Sequence, residues 1–571
     1  MRRETTHPRT GKAGALLSAA LVIVWSASTA QAQWREVWRT QADNGQNLTE
    51  VDIDVEVDSA GNIITIGWIV DPVTGSDLLL RKYDRTGRLL WTRTYDGGGG
   101  GDEYFITVVI DSNDNIITSG TAFNANGNRD IVTFKYDPDG NVIWTAPYDG
   151  PLGGHDECYG WPPLALDAAD NVYVCGSSQA LDGVYDLVTI KYDSAGTEQW
   201  AARYRGPNQT VPQALGYALA YTPSGHVYVA GTTRNVDGNG DYLLLKYDSN
   251  GQPLWDRLFD SAYHGWEAPY TMVVDDAENI FLVGISDSQY LNNDFEYCAV
   301  KYAPDGTFQW EGRYGGDFGF HYGWVGEPDG TGGVYVSGAS MTGGGEYDIA
   351  TVRFDTNGNT AWVRRFRNPR WFGDDWAYGL CTDLDDNLLV AGFGWNGHGN
   401  GDDAYLLKYS RAGDLLDSVV YDSPIHGDDW WTAVTVDDAG RAIVAGVSLG
   451  LGTGADSIVG KYTTAPPPEL VINPDPLQPR SNANFTVTDM EPHSACYLAY
   501  SVQGSGNVFV PLLNTTLGIR SPQQAGGIVL SDSAGTAVWN LRIPGNASGA
   551  SVWFQCAQYN QVSNVVATQV E

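Results

Sequence analysis

Histidine, carboxylate and tryptophan side chains recur together at similar intervals along this chain. Such groups could bind a sugar, a cationic ligand or a metal ion, because aromatic faces attract cations and imidazoles and carboxylates bind protons or metals. We predict one ligand-binding surface from His155, Glu157, His264, Trp266, Glu267, His321, Trp324, Asp374, Asp375, Trp376, His426, Asp428, Asp429 and Trp430. The competing interpretation is that they are packing and hydrogen-bonding residues copied with a repeat.

The metal-dependent catalytic spacings are missing from the sequence. There is no His-Glu-x-x-His and no zinc-type Cys/His spacing. Asp237, Asn239 and Asp241 alternate as the oxygen ligands of a calcium loop do, but no Glu stands at the twelfth position and Gly-Asn-Gly also makes an ordinary turn. We therefore expect no catalytic residues and no cofactor, with calcium at this turn as a weak candidate.

Eight copies of one sequence unit must position these residues. Each copy ends a strand with a basic residue, and successive basic residues are 52 to 56 positions apart. An acid lies five residues before each of them, and a Gly and a Trp follow in most copies, as at Gly87 and Trp91. The basic residues are Lys82, Lys135, Lys191, Lys246, Lys301, Arg353, Lys408 and Lys461. A fixed period of this length indicates a repeat architecture.

Short apolar runs separated by Asp, Gly and Asn turns predict two β-hairpins in every copy. Four strands per copy are typical of one propeller blade. The last copy stops at Tyr462, before any Trp strand, whereas Trp34-Arg-Glu-Val-Trp38 has no hairpin before it. We therefore predict an all-β fold in which an eight-bladed β-propeller of four-stranded blades, closed by the N-terminal strand, precedes a small β-sandwich.

The motifs Asp-x-x-Gly-Asn-Val-Tyr-Val-x-Gly and Lys-Tyr-Asp-x-x-Gly-x-x-x-Trp resemble those of secreted bacterial β-propeller repeat proteins. The resemblance covers residues 34–462 and implies a propeller outside the cytoplasm, without a single activity. That family usually has seven blades, so a seven-bladed fold is the alternative. The repeat also resembles that of quinoprotein dehydrogenases, but the vicinal cysteines of that class are absent. A polysaccharide-acting enzyme is a further alternative.

The two ends of the chain differ from the repeats. Residues 1–32 combine basic residues, an apolar run and Ala30-Gln31-Ala32, which predicts a signal peptide and a secreted, periplasmic or cell-surface protein. Residues 33–463 form the predicted propeller and residues 464–469 a Pro-rich linker. Short alternating runs in residues 470–571 predict an immunoglobulin-like β-sandwich. No later stretch is long enough to predict a membrane span.

The formal net charge of −36 excludes nucleic acid as a natural partner. Residues 1–32 hold four basic residues and one acid, so their removal would change the net charge to −39. We expect a monomer whose partner is a glycan, a cation or a protein. A purely structural role at the cell surface is the alternative, because acidity also serves solubility alone.

All seven lysines after residue 32 occupy the repeated position, which favours an architectural role. We predict that each lysine pairs with the repeated acid of a neighbouring blade, because the acid on its own strand faces the other way. Six cysteines are present. Cys158 with Cys175, and Cys496 with Cys556, could form disulfides, whereas we predict free thiols at Cys298 and Cys381.

Overall fold

The computed structural model describes residues 33–42, 48–158, 160, 162–180, 182–207, 213–234, 238–287, 294–315, 319–367, 373–395, 401–449 and 454–571. The predicted signal peptide, residues 1–32, lies outside them. No helix in the described part of the chain is long and apolar enough to cross a membrane. The described regular structure is β-strand, apart from the short 3-10 helices Pro511–Leu513 and Gly545–Ala547.

The strands of the repeat region are numbered in chain order. The first are β1 Arg35–Ala42, β2 Thr49–Val57, β3 Ile63–Asp71, β4 Gly75–Tyr83, β5 Leu89–Tyr95, β6 Tyr104–Ile110, β7 Ile116–Phe123, β8 Arg129–Tyr136, β9 Val142–Tyr148, β10 Asp156–Glu157, β11 Leu164–Leu166, β12 Val172–Gln179, β13 Tyr185–Tyr192, β14 Glu198–Tyr204, β15 Ala214–Tyr221, β16 His226–Arg234 and β17 Gly240–Asp248. Those that follow are β18 Pro253–Phe259, β19 Glu267–Val274, β20 Ile280–Asp287, β21 Phe295–Tyr302, β22 Phe308–Tyr314, β23 His321–Pro328, β24 Val334–Met341, β25 Tyr347–Phe354, β26 Thr360–Phe366, β27 Asp375–Thr382, β28 Leu388–Trp395, β29 Asp402–Tyr409, β30 Leu415–Tyr421, β31 Asp429–Val436, β32 Ala442–Leu449 and β33 Ala455–Thr463.

These strands form antiparallel sheets of the propeller type, as the sequence predicted. Strands β2–β5 are blade 1, β6–β9 blade 2, β10–β14 blade 3, β15–β18 blade 4, β19–β22 blade 5, β23–β26 blade 6, β27–β30 blade 7, and β31–β33 with β1 blade 8. In blade 3, β10 and β11 both pair with β12 and together replace a first strand. Separate apolar clusters lie between neighbouring blades, including blades 8 and 1.

Strand β1 is the fourth strand of blade 8. It runs antiparallel to β33, with Trp38 opposite Lys461 and Ala42 opposite Ser457. Trp38 is 2 % exposed and packs in the cluster between blades 8 and 1, and its indole Nε1 donates to the Arg85 carbonyl oxygen of blade 1. The first and last strands of the repeat region are therefore joined, which leaves no open sheet edge at that point.

The repeated lysines link neighbouring blades, but through partners other than the predicted ones. Lys82 Nζ lies 2.8 Å from an oxygen of Asp58, in the turn between the first two strands of its own blade, and donates to the Pro138 carbonyl of blade 2. Lys135 repeats this with Asp111 and the Ser194 carbonyl. The prediction of pairing with the repeated acid of a neighbouring blade is wrong. In each blade the repeated acid and the lysine lie at opposite ends of the third strand, five residues or about 17 Å apart, so the lysine does not lie beside the repeated acid of the next blade.

The turns that receive these bonds require glycine. Gly251 has φ +79°, and a Cβ atom there would lie 2.5 Å from the ring of Trp200 in the preceding blade. Gly140 and Gly358 contact Trp91 and Trp310 in the same way. The repeated Gly and Trp are thus two sides of one contact between blades, where only a residue without a side chain fits.

Residues after the repeats form a second β unit with its own core. Its strands are β34 Glu469–Asn473, β35 Asn482–Thr488, β36 Ala495–Ser501, β37 Ser505–Val510, β38 Thr515–Ile519, β39 Gln523–Gln524, β40 Val529–Leu530, β41 Ala537–Arg542, β42 Ser551–Gln558, β43 Gln561–Val562 and β44 Val566–Gln569. Buried Glu491 of this unit pairs with Arg441 and Lys461 of blade 8. It therefore contacts the propeller end that carries the tight turns, the turn face. All six cysteines are free thiols.

Candidate functional site

The first strands of the blades line the centre of the propeller, and a β-bulge interrupts them at one shared position. In each of seven first strands the bulge leaves one residue without a partner on the second strand. These residues are Ile53, Ile106, Tyr217, Tyr270, Trp324, Tyr378 and Thr432. A bulge turns its extra residue away from the regular alternation of the strand. Tyr270 and Tyr378 lie on either side of Trp324, with ring centroids 4.9 Å and 6.3 Å from it. We call these seven residues the bulge ring.

A cavity of about 620 Å³ opens above the bulge ring, at the end opposite the turn face, which we call the loop face. It is lined by Val51, Ile53, Trp68, Tyr104, Phe105, Ile106, Thr121, Arg129, Glu157, Cys158, Gly160, Tyr378, Phe393, Trp430 and Thr432. The only charged groups in this lining are Arg129 and Glu157, which pair at 2.5 Å. The volume is within the range of about 300–1,000 Å³ that is usual for ligand pockets.

Below the bulge ring, a cavity of about 190 Å³ shares Ile53, Tyr378 and Thr432 with the upper one. Asp54 lines it, and burial raises the pKa of this carboxyl to about 6. One Asp54 oxygen already accepts bonds from the Thr107 hydroxyl and the Val108 amide. We assign Asp54 a structural role, since its carboxylate joins the first strands of blades 1 and 2.

A second cavity on the loop face, of about 510 Å³, adjoins the first at Phe393. Its other lining residues are Gly345, Glu346, Gly373, Asp374, Trp376, Trp395 and Asp402. This cavity differs from the first because carboxylates stand beside its aromatic rings. Burial raises the pKa of Asp402, although a bond from Trp430 Nε1, 3.0 Å away, opposes that effect.

A run of aromatic rings connects the two cavities. Its members are Tyr322, Trp324, Trp376, Tyr378, Phe393 and Trp430, which we call the aromatic row. The planes of Trp324 and Tyr378 are 9° apart, those of Tyr378 and Phe393 also 9°, and those of Phe393 and Trp430 29°. All six rings are partly exposed, so the row offers aromatic surface to a ligand. We call the row and its two cavities the loop-face site.

Five of the residues predicted to bind a ligand belong to the loop-face site. Trp324, Trp376 and Trp430 lie in the aromatic row, Asp374 lines the second cavity and Glu157 lines the first. Asp428 lines neither cavity, but its carboxylate accepts a hydrogen bond at 3.2 Å from the amide of Asp402, which lines the second cavity. Ligand binding by these residues stays a prediction.

The other predicted residues lie apart from the two cavities. His264 and His426 are exposed, and each ring lies 2.7 Å from an aspartate four residues earlier. His155 accepts the Arg129 amide, and buried His321 contacts the Ser340 hydroxyl. Trp266 lines neither cavity. Glu267, Asp375 and Asp429 are buried at the starts of first strands. In Asp429, burial raises the pKa to about 6.

The calcium loop predicted at Asp237, Asn239 and Asp241 stays a prediction. Asp237 lies outside the described residues. The Asn239 side-chain amide donates to the His264 carbonyl at 2.9 Å. Asp241 lies instead with Asp260 and Glu267, at the boundary with the next blade.

Sequence reasoning missed Tyr322, Tyr378 and Phe393, the aromatic neighbours of the predicted tryptophans. A signal was available for two of them, because Tyr322 and Tyr378 lie two positions from Trp324 and Trp376 on the same strands. Alternate residues of a strand share a face. Phe393 comes from a second strand, and spacing within one strand cannot show its proximity.

Comparison with known proteins agrees with the fold. Residues 222–253 match a family described as a β-propeller domain of unknown function, DUF5122. No curated protein matched this chain.

Solved structures similar to it include the β-propeller domain of the Trilobed protease from Pyrococcus furiosus, at 10 % identity over 66 % of this chain and 99 % of that one, with a TM-score of 0.36. An ulvan lyase of polysaccharide lyase family PL25 has 10 % identity over 68 % and 96 %, with a TM-score of 0.39. PorZ, a surface component of the type-IX secretion system of Porphyromonas gingivalis, has 11 % identity over 91 % and 81 %, with a TM-score of 0.28.

Proposed function

We propose that this chain is an exported, non-catalytic propeller that binds a neutral glycan at the loop-face site. The observation that carries the proposal is the aromatic row, which joins an apolar cavity to a cavity containing Asp374 and Asp402. Sugar rings have apolar faces that can pack on flat aromatic surfaces, and their hydroxyls can donate to carboxylates. A chain of several sugars would extend along the row.

Charge favours a neutral ligand over an acidic one. The second cavity includes Glu346, Asp374 and Asp402, and the whole chain carries −36. An anionic polymer would be repelled by both. In the first cavity Arg129 is already paired with Glu157, so it offers little net attraction to an anion. An organic cation would suit the rings and carboxylates as well, and the test below separates it from a neutral sugar.

Trp376→Ala is expected to weaken glycan binding by 10-fold or more, about 1.4 kcal/mol, because Trp376 belongs to the aromatic row and lines the second cavity. Neutral, acidic and amino-sugar oligosaccharides on an array would identify a binding sugar. Calorimetry would then give the dissociation constant for each variant. Asp402→Asn is expected to weaken the same ligand to a smaller extent.

Trp266→Ala is the matched control. Trp266 lies just before the first strand of blade 5, whereas Trp376 is the second residue of the first strand of blade 7. Trp266 is 39 % exposed and lines neither cavity, so its replacement should leave the dissociation constant unchanged. Equal losses from Trp266→Ala and Trp376→Ala would contradict the site. If the protein bound only organic cations, and bound them much less tightly as salt was added, the ligand of this site would be a cation and not a glycan.

A further inference from the structure

Groups of three carboxylates lie at three boundaries between blades, outside the loop-face site. One oxygen of each acid lies within 4.8 Å of the other two in the groups Asp77, Asp96 and Glu103; Asp130, Asp149 and Asp156; and Asp241, Asp260 and Glu267. In each group the first acid is near the start of a third strand, the second follows the fourth strand, and the third belongs to the next blade. Each group therefore joins two blades.

The chain neutralises the equivalent acid with arginine in three other blades. In blade 3, Arg203 lies on the fourth strand opposite Val188 and pairs with Asp186 at 3.1 Å. The corresponding pairs are Arg313 with Glu296 at 3.0 Å and Arg365 with Asp348 at 3.1 Å. At the same register position, blades 1, 2 and 4 have Thr94, Pro147 and Leu258.

Blades 1, 2 and 4, which lack the arginine, have the second acid of the group close to the same position in the sequence. Two positions after Thr94, Pro147 and Leu258, the chain has Asp96, Asp149 and Asp260. Two positions after the three arginines it has Arg205, Gly315 and Arg367. Blades without the guanidinium thus add a negative charge where blades with it add none. Blade 7, with Val420, Asp403, Asp422 and Asp429, has the same residue types, but in the described structure they are not among the groups within 4.8 Å.

The third acid of each group is buried with an unsatisfied oxygen. Glu103, Asp156 and Glu267 are at most 1 % exposed. Within the described residues, Glu103 Oε2, Asp156 Oδ1 and Glu267 Oε2 have no hydrogen-bond donor. Burial, with added repulsion from the neighbouring carboxylates, raises the pKa of Glu103 and of Glu267 to about 7. A buried carboxylate close to other carboxylates either takes up a proton or binds a positive partner.

We propose that each of the three groups binds a Ca²⁺ ion that ties two neighbouring blades together. Oxygen is the only ligand type present, as Ca²⁺ prefers, and backbone carbonyls and water can complete its six to eight ligands. The exposed second acid of each group gives the ion a route from solvent. In blades 3, 5 and 6 an arginine takes the place of the ion.

Thr94→Arg tests the proposal by giving blade 1 the arginine of blades 3, 5 and 6. After chelation and dialysis at 150 mM salt, calorimetric titration with CaCl₂ should show three ions bound by the parent protein and two by Thr94→Arg. Ca²⁺ should also raise the melting temperature of the parent, because a ligand that binds only the folded state stabilises it. Glu103→Gln removes the charge of one ligand at nearly constant side-chain size, and this variant should also bind two ions.

Thr92→Arg is the matched control, since Thr92 is an exposed threonine on the same strand, two residues from Thr94. It should retain three ions. Absence of Ca²⁺ binding by the parent would overturn the proposal. So would an unchanged number of ions in both Thr94→Arg and Glu103→Gln, which would indicate only diffuse attraction to an acidic protein. Neither result depends on whether a glycan binds.

Discussion

Deleting residues 33–42 is expected to abolish cooperative unfolding of the propeller. The deletion removes all of β1 and exposes the edge of β33. Val37, Trp38 and Ala42 leave the core between blades 8 and 1. Loss of one buried Trp side chain alone costs about 3–5 kcal/mol, against a total of about 5–15 kcal/mol for a typical folded domain. The expected product aggregates or unfolds over a broad temperature range.

Calorimetry and circular dichroism would measure the transition of the shortened chain. A synthetic peptide of residues 33–42, added in excess, should restore a sharp transition by pairing with β33, whereas a scrambled peptide should not. A shortened chain that melts as sharply and at the same temperature as the parent would show that β1 contributes nothing to closure.

The sequence was sufficient for the propeller because its repeat encodes local features. Strand alternation and the Asp-x-x-Gly turns are set within a few residues, and Gly and Trp recur at similar positions in most copies. The N-terminal strand could also be matched to the incomplete last copy. Lysine partners could not be found in this way. Asp58 has the sequence context of a turn residue, and its carboxylate accepts the Ala60 and Asn62 amides. The same carboxylate also binds Lys82, which the turn pattern does not indicate.

The loop-face site was less accessible to sequence reasoning because its rings come from several strands. Trp324, Tyr378 and Phe393 lie on three different strands, and spacing within one strand cannot show that their rings lie together. Sequence also could not show the surroundings of the buried acids Glu267 and Asp429. Both lie at blade boundaries, where each accepts a hydrogen bond from a serine that follows the fourth strand of the preceding blade.

Different charged contacts join neighbouring blades on the turn face and on the loop face. On the turn face, lysines bind a carboxylate of their own blade and a carbonyl of the next. On the loop face, arginines neutralise the acids in blades 3, 5 and 6, and we have proposed Ca²⁺ for blades 1, 2 and 4. The C-terminal unit adds Glu491 to the lysine of blade 8 and leaves the loop-face site uncovered.

Lys135→Met is expected to lower the free energy of unfolding by about 3–5 kcal/mol, because it leaves a buried carboxylate without its cation. Lys135 and Asp111 are 5 % and 0 % exposed as side chains, with Nζ and Oδ2 2.7 Å apart. Burial by itself would raise the pKa of Asp111, but bonds from Lys135 and Asn115 hold that pKa below its usual value. Urea unfolding at pH 7 would measure the loss.

Lys191→Met provides the comparison, since its Nζ is 3.8 Å from Asp167 and its side chain is 12 % exposed. It should cost less than Lys135→Met. Adding Asp111→Asn to Lys135→Met should recover part of the loss, because asparagine keeps an acceptor for the turn without a buried charge. The depressed pKa of Asp111 gives stability that is present above the unfolded-state pKa and is lost as pH falls through the folded-state value. The parent should therefore weaken more than Lys135→Met on acidification below about pH 4. Equal urea midpoints for the parent and Lys135→Met would show that the lysine bridges do not hold the blades together.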